Sequence, residues 1–77
     1  SLGLGAPFAI QTGAFGVPAN AERRLALLRA NGFDGAFSAR QGRLQVVYAG
    51  GYDDRLSAAA DLRRVRSVVG EAFVTVQ

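Results

Sequence analysis

The two halves of the chain repeat one another at an offset of 37 residues. Ile10 answers to Val47, Gly13 to Gly50, Phe15 to Tyr52, Ala21 to Ala58, Leu25 to Leu62 and Leu28 to Val65. Each half has the same sequence of parts: a strand, a glycine, an aromatic residue, a short connection, a helix and a second strand. With 77 residues the chain has room for one small domain with a modest core, and two such units fill it.

Local patterning supports each part. In "PFAIQTGA" the residues alternate, setting Phe8, Ile10 and Thr12 on one face and Ala9, Gln11 and Gly13 on the other. "RLQVVYAG" does the same, with Gln45, Val47 and Ala49 opposite Leu44, Val46 and Tyr48. Gln41-Gly42 lies between two strand-like runs and predicts a tight hairpin turn. The closing "AFVTVQ" is β-branched and aromatic, as a last strand would be. Ala21, Leu25 and Leu28 recur at helical spacing, as do Ala58, Leu62 and Val65 with Val69 a turn later. Pro18 suits a first helical position, Asp54 an N-cap, and Gly32 a left-handed helix end. The helix arginines fall mostly off the apolar stripes and are expected on solvated faces.

The order βαββαβ predicts an α+β fold of the ferredoxin-like (RNP-like) type. Two helices cover one face of a four-stranded antiparallel sheet, and the first and third strands are central neighbours. The other face is open. If the helices claim Phe8, Ile10, Thr12, Val47 and Ala49, the open face carries Ala9, Gln11, Gly13, Leu44, Val46 and Tyr48. An exposed apolar centre with a few polar groups is expected to bind something. A sugar ring suits it: its C–H face lies on Tyr48 or an aliphatic side chain, and the Gln11 amide both donates and accepts. Gly13 admits a close approach, and Arg43 can meet a carboxylate in bidentate fashion.

Composition narrows the chemistry. The chain has no cysteine and no histidine, which removes thiolate nucleophiles, the usual zinc sites and a histidine base. Nothing in it calls for a cofactor. The carboxylates Glu22, Asp34, Asp53, Asp54, Asp61 and Glu71 fall on helix surfaces or caps, so no enzyme is expected. Gly13, Gly16, Gly50 and Gly51 do not make a phosphate-cradling loop. Nine arginines against six acids give a net charge of +3, which favours an anionic partner. Nucleic acid is not expected, because only Tyr48 is placed to stack a base. No apolar run approaches the roughly 20 residues of a membrane span.

The stretches "FAIQTGAF", "NAERRLALLRANGF" and "LQVVYAGGYDDRLSAAADL" together resemble the SPOR domain over almost the whole chain. That family's first strand runs apolar-x-apolar-Gln-x-Gly-Ser/Ala-Phe, matched by Phe8 to Phe15, and Asn20, Ala21 and Glu22 match its Asn-Ala-Glu. Ala49, Gly50, Gly51 and Tyr52 stand where it has Val-Gly-Pro-Phe. The resemblance implies a non-catalytic peptidoglycan-binding module of the bacterial cell envelope or periplasm, at the division septum. Its partner would be glycan strands of N-acetylglucosamine and N-acetylmuramic acid stripped of stem peptides. Each such muramic acid bears a free lactyl carboxylate, which fits a mildly basic reader. Residues 1–6 are expected as a linker remnant and 7–77 as the domain, monomeric and excised from the C-terminus of a larger protein.

In that resemblance the family's glutamine matches Gln11, and its small residue three positions on matches Ala14. The expected glycan-binding set is Gln11, Gly13, Ala14, Arg43, Leu44, Val46, Tyr48 and Val74. The family often has serine at Ala14 and an arginine or bulky aromatic near Leu44 and Val46, so either the affinity is expected to be weak or residues such as Tyr48 or Arg43 supply support here. Gln11→Lys or Tyr48→Ala is expected to abolish glycan binding and leave the fold intact. The alternative is a module that docks a protein, or a second copy, on the exposed apolar face.

Overall fold

The structure, a computed structural model, describes residues 5–77. Of the expected linker remnant, the first four residues lie outside the described ones. The element order is β1 (Phe8–Phe15), α1 (Pro18–Ala30), β2 (Phe37–Gln41), β3 (Leu44–Tyr52), α2 (Arg55–Val69) and β4 (Phe73–Val76). The strands form one antiparallel sheet in the order β2-β3-β1-β4, so β1 and β3 are its centre. This is the expected ferredoxin-like α+β arrangement.

The main core lies between helices and sheet. Ala21, Leu25 and Leu28 of α1 and Ala58 and Val65 of α2 bury against Ile10, Val47 and Ala49, with Phe8, Phe15, Tyr52 and Leu62 around them. The helix ends follow the local chemistry. Pro18 begins α1, where its missing N–H costs nothing. Past Asn31, Gly32 adopts φ +90°, and Phe33 N–H donates back to the Leu28 carbonyl at 3.0 Å, burying the Phe33 ring beside Leu28. In the hairpin between β2 and β3, Gly42 has φ +61° at the first turn position, as a II′ turn requires.

Asp54 caps α2 by accepting the Ser57 backbone N–H at 2.7 Å. That bond holds its carboxyl below the ordinary value of 3.8. A carboxylate depressed in the folded state stabilises the fold above its unfolded pKa, and the gain is lost as pH falls through the folded pKa. Asp54→Ala is therefore expected to lower the melting temperature at pH 7. The difference from the parent chain should shrink as pH falls from 3.8 through the lower folded pKa, where Asp54 loses its charge in both states; melting curves at pH 7 and over a descending acid series check it.

The helix arginines are not simply solvated. Arg24, Arg29 and Arg66 donate to the carbonyls of Thr12, Ala36 and Ala72 at 2.7, 2.9 and 3.0 Å. Arg24, Arg55 and Arg64 also lie over the rings of Phe15, Phe8 and Phe33, 4.3 to 5.2 Å from the centroids. Their long apolar stems allow this while the charge keeps access to water. They tie the helices to neighbouring strands and connections.

Strand alternation breaks at two places in the central pair. Ala9 pairs with Gly51, Gln11 with Tyr48, and Gly13 with Val47. Between the first two pairs β3 carries one extra residue, at Ala49–Gly50; between the last two β1 carries one, at Thr12. The two bulges offset one another, so Phe8–Tyr52 and Phe15–Gln45 keep a common register. They also sit at positions related by the 37-residue repeat, since Thr12 and Gly13 answer to Ala49 and Gly50. Beyond each bulge the repeat-related aromatics Phe15 and Tyr52 both turn toward the helices.

Candidate functional site

The face away from the helices takes its residues from all four strands. Phe37, Ala39 and Gln41 come from β2, and their partners Tyr48, Val46 and Leu44 from β3. Ala9, Gln11 and Ala14 come from β1, and Phe73 and Thr75 from β4, where they pair with Gln11 and Ala9. Gln11 thus sits in the middle of the sheet, between Tyr48 and Phe73.

The expected set divides here. Gln11 is half-buried, Ala14 and Leu44 are exposed, and all three are on the open face. Arg43 is exposed in the turn that leads into Leu44. Val46 and Tyr48 face the same way but are buried, which corrects the expectation of an exposed apolar centre. With Ala9 they form a second small cluster, flanked by Phe37 and Ala39. The Tyr48 ring is 1% exposed, stacks on Phe37 with centroids 4.9 Å apart, and its hydroxyl accepts from Gln41 Nε2 at 3.3 Å. A ring placed so has no free face for a sugar. Its part is to support the sheet beneath the site.

Gly13 and Val74 are the two that the fold puts on the other side. Gly13 pairs with the core residue Val47, and a Cβ there would stand 3.0 Å from the Phe15 ring and 3.4 Å from Arg24 Nη1. Its lack of a side chain serves the packing of α1 on β1. Val74 pairs with Ile10 and packs into the helix-side core. Its neighbour Phe73, which the sequence reading left out, is the outward residue, 53% exposed and directly beside Gln11. In "FVTV" apolar residues occupy both faces, so alternation gave no sign of this; the pairing partner did.

The spacing of Gln11 and Ala14 now has a cause. Residues three apart on a regular strand point to opposite faces. The bulge at Thr12 adds the residue that brings both to the open face.

A family model for the SPOR domain matches residues 4–75. The chain belongs to the SPOR domain family. Nothing matches among curated proteins or among solved structures. SPOR domains are binding modules, not enzymes, that associate with peptidoglycan and direct proteins to the division septum of the cell envelope. In this SPOR domain no group of residues suited to a metal ion occurs among the described residues. No helix among them is long and apolar enough to cross a membrane.

The helix side of this SPOR domain has a cleft of about 210 Å³ between the α1–β2 connection, the end of β3 and α2. Three of its polar side chains engage one another. The Tyr52 hydroxyl donates to Asp61 at 2.8 Å, and Asp61 lies 3.8 Å from the Arg64 guanidinium that covers Phe33. Burial, then the bond to Asp61, push the Tyr52 hydroxyl well above its ordinary pKa of 10.0, so it stays a donor. This arrangement braces α2 on β3 and leaves the open sheet face as the candidate site.

Proposed function

We propose that this SPOR domain binds peptidoglycan glycan strands that lack stem peptides, through the open face around Gln11, and so brings its parent protein to the septum. The observation that carries the reading is the trio at the middle of that face. A half-buried amide has an exposed phenyl ring, Phe73, beside it on β4 and a small residue, Ala14, beyond the bulge on its own strand. The amide can accept from a hydroxyl or an acetamido N–H and donate to a carbonyl. The phenyl ring offers an apolar plane to the C–H face of a sugar. Ala14 adds nothing that would block a chain of pyranose rings.

Charge supports the preference for stripped strands. In a peptide-bearing strand the lactyl group is tied up in an amide and is neutral; removal of the peptide turns it into a carboxylate. The domain's net charge of +3 and the exposed Arg43 beside Leu44 favour the anionic form. A docking or dimerisation module needs a continuous apolar centre. With Val46 and Tyr48 buried, Leu44 and Phe73 are the large apolar side chains the face exposes, on different strands with Gln11 between them in the sheet order.

Sacculi treated with an amidase, against untreated sacculi, test the proposal in a co-sedimentation assay. The domain should pellet with the treated sacculi several-fold more, and raised salt should weaken that retention. Equal retention on both would remove the claim of stripped-strand preference, and retention on neither would remove glycan binding.

A further inference from the structure

We infer that Arg24, on the helix side of the sheet, is a positioning residue for the open-face site, because it holds the β1 bulge that puts Gln11 and Ala14 on one face. The inference rests on the glycan reading above for its functional part, and on geometry for the rest. Thr12 has no pairing partner in β3 or in β4. Its buried hydroxyl donates to the Val47 carbonyl at 3.0 Å, and its own carbonyl accepts from Arg24 Nη1 at 2.7 Å. A bulge interrupts the ladder and leaves a backbone group that needs another partner. A guanidinium is well suited to it, since a charge-assisted bond to a carbonyl is stronger than a neutral one.

The same side chain holds the residue beyond the bulge. The Arg24 guanidinium lies over the Phe15 ring, 5.2 Å from its centroid, and Gly13 leaves the space through which both pack. Without the extra residue, Ala14 would turn to the helices and Phe15 out to solvent. The second half of the chain offers an internal control. At the position 37 residues on, Asp61 of α2 accepts from Tyr52, the aromatic that follows the β3 bulge. In both halves one helix residue reaches the aromatic beyond a bulge, with different chemistry each time.

Two variants separate the donor from the packing. Arg24→Met keeps a flexible apolar stem on Phe15 and removes the donor; Arg24→Lys keeps a charged donor. Backbone amide hydrogen exchange at Gln11 to Ala14 reports the bulge without any ligand, and co-sedimentation with amidase-treated sacculi reports the site. Arg24→Met should fold, exchange those amides about tenfold faster while Val47 and Leu28 stay protected, and bind sacculi about tenfold more weakly. Arg24→Lys should recover most of both. A general loss of stability would speed exchange throughout the core instead.

A folded Arg24→Met with unchanged exchange at Gln11 to Ala14 would overturn the inference, as would a loosened bulge with undiminished binding. If neither variant folds, Arg24 has no separable positioning role and the inference falls. Gln11→Lys in the parent background tells the two readings apart. If that variant still binds, the Gln11 amide takes no part in glycan recognition, and the exchange data alone decide the role of Arg24 in the bulge.

Discussion

Lysine in place of Gln11 is expected to abolish retention of this domain on amidase-treated sacculi and to leave its melting temperature within a few degrees of the parent. The amide is half-buried, so a lysine stem can lie along the neighbouring Tyr48 and Phe73 while its ammonium reaches water. What disappears is the acceptor. An ammonium only donates, and a sugar hydroxyl or acetamido N–H that had been met by the amide oxygen is left unpaired in the complex. Leaving such a group unsatisfied costs about 1–3 kcal/mol, or roughly ten- to a hundredfold in affinity. The added charge would act the other way if attraction to carboxylates were all that held the strand. Equal or better retention of a folded Gln11→Lys would therefore show a purely electrostatic reader, with no amide contact at this point.

Tyr48→Ala is expected to fail in a different way, by unfolding. The ring is buried, stacked on Phe37 and packed with Ala9 and Val46, so truncation opens a cavity on a face with no helices over it. Aromatic-to-alanine changes in a core cost about 3–5 kcal/mol. A domain of this length holds on the order of 4–12 kcal/mol in all. The midpoint should fall by roughly 12–40 °C, at about 4–8 °C per kcal/mol for a domain of this size. Tyr48→Phe keeps the stack and loses only the bond from Gln41, so it should melt close to the parent and bind sacculi as well. A Tyr48→Ala protein that melts like the parent and yet fails to bind would return Tyr48 to the list of direct contacts.

The 37-residue repeat, the two apolar helical stripes and the turn at Gly42 made the architecture legible, because each depends on chemistry local to a few residues. The composition of the open face was legible as far as Gln11. Alternation counts residues along one strand, and a bulge inserts a residue that the count cannot see. Gly13 was therefore assigned to the wrong face, and Ala14 reached the right one through the family's spacing. The spacing of three between Gln11 and Ala14 was itself a sign of a bulge, as was the pairing of a glycine and an aromatic in both halves.

Burial of Tyr48 was not legible for another reason. It depends on Phe37, a residue on a different strand whose register is set by the hairpin turn. On β4 the same problem took the form of a shift by one, from Phe73 to Val74, because both are apolar. Charge on the helices was read as solvation, whereas Arg24, Arg29 and Arg66 each end on a backbone carbonyl. A guanidinium on a long stem serves both purposes, and only the fold tells which.

The central claim, a face around Gln11 that binds stripped glycan, is tested most directly by titrating the isotopically labelled domain with two glycan fragments of equal length, one stripped of stem peptides and one bearing them. The stripped fragment should shift the amide signals of Gln11, Ala14, Leu44 and Phe73, and bind several-fold more tightly than its peptide-bearing counterpart. Shifts confined to the helix side around Asp61 and Arg64, or equal affinity for the two fragments, would contradict it.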